Sequence, residues 1–250
     1  MNRFHGINVL LTGGGSEIGR ATVIRLVSEG AAVVAVDRDS QGLDETAECA
    51  VGPGRVLTHE ADVTDETAVQ EAVAAAAIEL GSLEVLVNVA GVYRGTPIER
   101  LSVHDLHELY TANLVGAALF CRETLPHLPD QVGVIVNVTS AAASRGIPYM
   151  SAYSASEGAL RAFSLSLAAE VVGRGIRVEP VSAGIADTPL TGPSARARRG
   201  DDAFGCYGKI YPPFRLASPE QIAATIVFAA SRDAGYLTGA EIPARSGAHI

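Results

Sequence analysis

Short apolar runs take turns with longer amphipathic stretches along most of this 250-residue chain. Ile7–Leu11, Ala31–Val36, Val56–His59, Leu83–Asn88, Val132–Val138 and Ile176–Val181 read as strands. Their nearly unbroken apolar character predicts strands buried on both faces. Helical patterns fall between them, at about 17–29, 40–50, 65–80, 103–127 and 153–173. Strands and helices alternating in this way imply a doubly wound α/β fold, a parallel sheet with right-handed crossovers and helices on both faces. No Pro/Ser-rich linker and no long repeat interrupts the alternation, so residues 1–250 are read as a single domain. Residues 188–215 break the pattern with Gly192, Pro193, Gly200, Gly205, Gly208, Pro212 and Pro213. An insertion that long in a compact domain is more often functional than inert.

Composition narrows the function classes. A formal net charge of -9 and a pI near 5.1 argue against nucleic acid or an anionic membrane surface as partner, because both call for basic patches. Lys209 is the only lysine. No apolar run approaches the roughly 18 residues of a membrane span, and the start of the chain does not read as a cleavable signal. Three widely spaced cysteines, Cys49, Cys121 and Cys206, suggest reduced thiols and hence a cytoplasmic protein. His104 and His107 are three apart on a helical stretch, but Asp105 and Glu108 around them read as a solvated face, and no further spaced ligands complete a metal site.

The first strand runs into Thr12-Gly13-Gly14-Gly15-Ser16-Glu17-Ile18-Gly19. Glycines there let the backbone turn tightly and approach a pyrophosphate, which the positive end of the following helix then attracts. Asp37 ends the second strand 18 residues after Gly19. That context favours a dinucleotide site over a plain strand-to-helix turn. Asp37 suits the adenosine ribose hydroxyls and would repel a 2′-phosphate, so NAD(H) is expected over NADP(H). Two alternatives stay open: Asp37 as a solvated turn residue, and Arg38 as the receiver of a phosphate.

Ser140 ends the run Val134-Ile135-Val136-Asn137-Val138, and Tyr153 follows thirteen positions later at the start of an alanine-rich helical stretch. This segment closely resembles the active-site segment of the short-chain dehydrogenase/reductase family, a single-domain Rossmann fold. The resemblance extends along nearly the whole chain. Residues 12–19 resemble the family's TGxxxGxG pattern, implying cofactor contacts from Gly13, Gly15, Ser16, Ile18 and Gly19, although Glu17 stands where the middle glycine is usual. Asp62-Val63 resembles the adenine-contacting pair. Asn88-Val89-Ala90-Gly91 resembles the NNAG segment and implies cofactor contacts from Asn88, Ala90 and Gly91. Asn113 matches a helix-distorting Asn that supports the proton relay. Gly184 and Thr188 match residues beside the nicotinamide, with Ala183 in place of the preceding proline. Asp62 as a helix cap, and Asn88 or Asn113 as core hydrogen-bonders, remain alternatives.

By the same resemblance Ser140 polarises the substrate oxygen and Tyr153 exchanges a proton with it. The family's Lys, four residues after the Tyr, lowers the Tyr pKa and holds the nicotinamide ribose. Here that position is Glu157. A negative charge one turn beyond Tyr153 should raise the phenol above its reference of about 10. That hinders alcohol oxidation more than carbonyl reduction, where Tyr153 serves as an acid. Glu157 could accept from ribose hydroxyls, or form an i,i+4 ion pair with Arg161. Glu17 is expected to cap its helix, and would otherwise crowd a pyrophosphate. Lys209, Arg145 and Arg161 are the nearest candidate replacements for the missing cation.

The expectation is therefore an NAD(P)-dependent oxidoreductase acting on the carbonyl/alcohol pair of a mostly apolar small molecule. It would be a homodimer or homotetramer, as the resemblance implies, with a substrate lid at about 188–215. Met150, Tyr149, Tyr207, Tyr211 and Phe214 are candidates to line its pocket, or equally to be core or interface residues. The alternative is a non-redox relative that binds a ligand, moves a proton through Tyr153 alone, or serves as a silent subunit.

Overall fold

The central strand of the molecule, β1 (Asn8–Thr12), is buried along nearly its whole length because each face of the sheet is covered by helices. The computed structural model describes residues 2–184 and 216–245. Six further strands flank β1: β2 (Ala32–Asp37), β3 (Arg55–Glu60), β4 (Val85–Asn88), β5 (Val134–Ser140), β6 (Arg177–Ala183) and β7 (Ile242–Ala244). All pairings are parallel, in the order β3-β2-β1-β4-β5-β6-β7. Side chains alternate across the sheet. Val9 and Leu11 pack with Val23 and Leu26 of α1 (Glu17–Ser28) and Ile222 and Ile226 of α7 (Pro219–Ala230). Leu10 faces the other way, toward Val69 of α3 (Glu66–Leu80), Phe120 of α5 (Gly116–Thr124) and Leu167 of α6 (Ser151–Val171). The remaining helices are α2 (Ser40–Cys49) and α4 (Val103–Tyr110). A three-layer α/β sandwich of the Rossmann type results, as the alternation implied.

Strand order reverses between β1 and β4. Crossovers run outward from β1 to β3 on one side, and the chain then returns to place β4 on the other. The crevice outside the carboxyl ends of β1 and β4 is where open parallel sheets bind ligands.

Four details differ from the sequence expectations. β3 is an edge strand with one row exposed, not buried on both faces. The stretch expected as one helix over 103–127 is interrupted by a π-helical turn at Thr111–Val115, which separates α4 from α5 and contains Asn113, the residue whose match implied a helix distortion. Asp105 is buried, not solvated: it forms a capping box with Ser102 and pairs with Arg94. Helix α7 was not anticipated, although Ser218-Pro219-Glu220-Gln221 carries its signal, a capping box with Pro at the first turn. Among the described residues, no helix is long and apolar enough to cross a membrane and no cluster of side chains could hold a metal ion. Cys49 and Cys121 are free thiols. Thr188, Lys209, Tyr207, Tyr211, Phe214, Cys206 and the expected lid lie outside the described residues.

Candidate active site

The turn after β1 is shaped by two glycines that admit no substitute. Gly13 has φ 75°, and a Cβ there would stand 2.6 Å from the Ala90 nitrogen. A Cβ on Gly19 would stand 1.9 Å from the Gly13 carbonyl oxygen, so α1 leaves the turn with its backbone pressed on the loop. Ser16 is the N-cap: its hydroxyl accepts from Gly19 N at 3.2 Å and donates to the Gly13 carbonyl at 2.7 Å. Ile18 packs into the core, leaving only its backbone at the turn. Glu17 occupies the first helical position, where a carboxylate is favoured. The backbone N–H groups of Glu17 and Ile18 find no acceptor among the described residues. Unsatisfied first-turn donors beside a glycine cradle are the requirement for a bound phosphate, so these residues fit the pyrophosphate of a dinucleotide.

Asp37 closes the other side of this cradle. Its carboxylate accepts Gly15 N and Asp39 N, each at 3.0 Å, which fixes it against the turn. Two residues absent from the sequence reading hold the cradle from behind. Thr46 Oγ1 donates to the Gly14 carbonyl at 2.8 Å, and the Arg20 guanidinium reaches the Gly15 and Gly42 carbonyls and Glu45. Both contacts join the turn to α2, which no local motif could announce. Arg38 faces Asp62 at 3.8 Å. Asp62 also accepts the Thr64 N–H and hydroxyl; these bonds and Arg38 outweigh burial and hold its carboxyl below the usual range. Val63 packs on Gly116 at the head of α5.

At the end of β4, Asn88 turns inward. Its amide donates to Asn137 Oδ1 at 2.9 Å, and its oxygen lies 3.4 Å from the Thr12 hydroxyl. Asn137 in turn donates to Ser164 on α6 at 2.9 Å. The Asn88 side chain is thus a core hydrogen-bonder joining β1, β4 and β5, while the backbone beyond it borders the crevice. Ala90 N reaches the Thr12 hydroxyl at 3.3 Å. A Cβ on Gly91 would stand 3.1 Å from Asn113 Oδ1. Asn113, in the π turn, accepts Val92 N at 2.7 Å and donates to the Val92 carbonyl and to Ser156 Oγ, each at 3.0 Å. Ser156 donates to the Tyr153 carbonyl at 2.8 Å. Asn113 therefore ties the loop after β4 to the first turns of α6.

Ser140 ends β5 in register with Ala183 on β6, and Gly184 follows with its N–H on the Ala244 carbonyl at 2.9 Å. The Tyr153 hydroxyl meets both the Ser140 hydroxyl and the Glu157 carboxyl. Tyr93 packs edge-on against Tyr153 with centroids 5.2 Å apart, and Met150, Ile147 and Ala142 complete a small apolar wall. Burial first, and the Glu157 charge second, raise the Tyr153 phenol well above its ordinary value, with Ser140 opposing. Glu157 is 6% exposed. Burial pushes its carboxyl up to about 8, against the Ser140 backbone and the Tyr153 hydroxyl, which favour the anion.

The ion pair anticipated between Glu157 and Arg161 does not form. Arg161 instead binds Glu241 at 2.6 Å, just before β7, and Glu241 also takes Arg245. Glu157 is turned inward beneath Tyr153 while Arg161 swings toward the sheet edge, so spacing on the helix was a poor guide. The charge expected at Glu157 is also largely absent near neutral pH, because the carboxyl is mostly protonated below about 8.

The chain matches, over residues 13–249, a family model described as "Enoyl-(Acyl carrier protein) reductase". It is 34% identical to the 3-oxoacyl-(acyl-carrier-protein) reductase FabG of Thermotoga maritima over 95% of each chain. It is 36% identical to the D-threitol dehydrogenase of Mycolicibacterium smegmatis, over 96% of this chain and 92% of that one. Among solved structures it superposes on a levodione reductase with a TM-score of 0.88, 30% identity and 96% coverage of both chains. A short-chain dehydrogenase of Burkholderia cenocepacia in complex with NADP gives a TM-score of 0.89 at 27% identity, covering 100% of both.

Proposed function

This chain belongs to the short-chain dehydrogenase/reductase family, and from that membership we propose that it is an NAD(H)-preferring oxidoreductase working in the reductive direction. Its substrate is the carbonyl group of a mostly apolar small molecule. The observation that carries the reading is that Ser140 ends β5 and Tyr153 stands in the first turn of α6, within range to act on one another, at the same carboxyl end of the parallel sheet as the cradle of Gly13, Gly15 and Asp37.

A nicotinamide dinucleotide, when bound, supplies the hydride for the substrate carbon. The first-turn N–H groups of Glu17 and Ile18 would hold its pyrophosphate, and Asp37 would accept from the adenosine ribose. Ala90, Gly91 and Gly184 border its nicotinamide half. Ser140 donates to the substrate oxygen, and Tyr153 delivers the proton that completes the alcohol. Glu157 takes the place of the family's lysine, so nothing on α6 stabilises a Tyr153 phenolate. A phenol that keeps its proton is a poor base and a serviceable acid, which favours reduction over oxidation. Asp37 carries the preference for NAD(H), since its fixed carboxylate would accept from ribose hydroxyls and repel a 2′-phosphate.

Titration of the protein with NADH and NADPH, followed by nicotinamide fluorescence or heat, tests this reading. Micromolar NADH binding, tighter than NADPH, supports it and opens a screen of ketones. Tighter NADPH overturns the role of Asp37. Binding of neither at millimolar concentration favours a second reading, a non-redox relative, whose support is the buried carboxyl of Glu157 where a cation would be needed. We expect a homodimer or homotetramer, checked by light scattering. The free thiols of Cys49 and Cys121 support a cytoplasmic setting.

A further inference from the structure

We propose that Glu157 is the proton reserve of this site, standing behind Tyr153 and passing its carboxyl proton to that residue as Tyr153 protonates the substrate oxygen. The inference rests on the reductase reading above and gives Glu157 the role of a neutral acid in place of a fixed cation.

Glu157 stands one helical turn beyond Tyr153 on the buried face of α6, within range for the Tyr153 hydroxyl and the Ser140 backbone to act on its carboxyl. It is shut off from solvent on the buried side of α6. A carboxylate buried in this way needs a cation or several donors to remain charged. Arg161, the basic residue next on the helix, is bound to Glu241. From α4, Asp105 and Glu108 are tied to Arg94. From the π turn comes neutral Asn113, and from β5 come Ser140 and Asn137. Glu179 on β6 shares its strand face with Val181, on the α7 side of the sheet, and pairs with Arg177. With no cation beside it among the described residues, Glu157 rests as a neutral acid whose O–H can point at the Tyr153 oxygen.

The atoms balance. The substrate carbon accepts a hydride from a reduced nicotinamide dinucleotide, and its C=O π pair becomes the new O–H bond with the Tyr153 proton. The Tyr153 oxygen takes the Glu157 proton in the same movement. The carbonyl is reduced, the nicotinamide is oxidised, and Glu157 is left as a carboxylate that regains a proton from solvent once product has left. A phenolate never accumulates, which suits a site that stabilises one so poorly.

The test joins a spectrum to a rate profile. Infrared difference spectra of the cofactor-free protein, titrated from about pH 6 to about pH 10, should show a protonated carboxylic acid lost near pH 8. The Glu157 component near pH 8 should be missing in Glu157→Gln and kept in Glu157→Asp, while the Glu179 component near pH 7 stays in both. With NADH and a ketone, kcat should be level below about pH 8 and fall above it. Glu157→Gln should be slower by on the order of 10²-fold with the falling limb gone, and Glu157→Asp should restore the limb. Circular dichroism confirms that both variants are folded. Absence of the acid band, or a Glu157→Gln enzyme with full kcat and an unchanged profile, overturns the reserve and leaves the reductase reading standing. A protein that shows the band and binds no NADH overturns the reductase reading, and the reserve with it.

Discussion

Asn113 holds both backbone groups of Val92, accepting its N–H at 2.7 Å and donating to its carbonyl at 3.0 Å. A loop beyond the end of β4 has no neighbouring strand to pair with, so one amide side chain does for it what a sheet ladder does elsewhere. Asn113→Ala leaves those two groups and Ser156 short of partners in a largely buried place. At about 1–3 kcal/mol for each unsatisfied group, a fall of several degrees in melting temperature is expected. The turn carrying Tyr153 should loosen with it, so kcat should fall along with Tm. Calorimetry and steady-state rates check both.

Gly19→Ala puts a methyl group where the Gly13 carbonyl already stands. Neither partner is a flexible side chain, so the loop or the helix must move. Overpacking of this kind costs about 1–3 kcal/mol. With this loop as the proposed phosphate cradle, NADH affinity should weaken at least about tenfold, measured by fluorescence titration of the folded variant. An unaltered Kd would refute the assigned cradle.

Asp37→Ser keeps a hydroxyl near the turn and deletes the charge. A charge-assisted hydrogen bond is worth about 1.5–3 kcal/mol, which corresponds to roughly 10- to 100-fold in affinity. The ratio of NADPH to NADH dissociation constants should shift toward NADPH by that order. If the ratio does not move, the ribose lies elsewhere.

Stability should decline as the medium becomes alkaline. Glu157 and Glu179 are both held above their ordinary 4.5, to about 8 and about 7, chiefly by burial. The native state therefore binds protons more tightly than the unfolded chain, and this contribution is complete below about pH 4.5. It is lost as pH rises through 7 and 8 and is constant beyond. Urea midpoints at about pH 6 and about pH 9 should differ by the equivalent of a few kcal/mol, and Glu157→Gln should narrow the gap. A midpoint that rises toward pH 9 would contradict the burial of these acids.

Much of this architecture is written in local pattern. Unbroken apolar runs such as Val33–Val36 announce strands covered on both faces, and Thr12-Gly13-Gly14-Gly15 announces the turn between the first strand and its helix. Side-chain partners are another matter. Spacing on a helix suggested Arg161 for Glu157, yet that rule describes two residues sharing a wet surface, and Glu157 is buried. Its real neighbours, Ser140 and Tyr153, were visible as motif residues, whereas Glu241 as the partner of Arg161 lies 80 positions away. Thr46 and Arg20 behind the glycine turn, and Tyr93 against Tyr153, escaped for the same reason. Each contact is created by tertiary packing, and nothing in the sequence near either partner records it.

The topology has a consequence for how this protein becomes competent. Thr12 and Asn88 touch across 76 positions, Asn88 and Asn137 across 49, and Asn137 and Ser164 across 27. The first two links each span at least one complete crossover and the third ties β5 to the helix that follows it, so these groups come together only when the strands and α6 are in place. Contacts this distant in sequence form late and slowly. A nascent chain halted before β6 would lack the Ala183 side of the pocket, however well its glycine turn had formed. Competence is thus a property of the finished sheet, and a dinucleotide that requires all of these ends together would recognise only chains that have completed it.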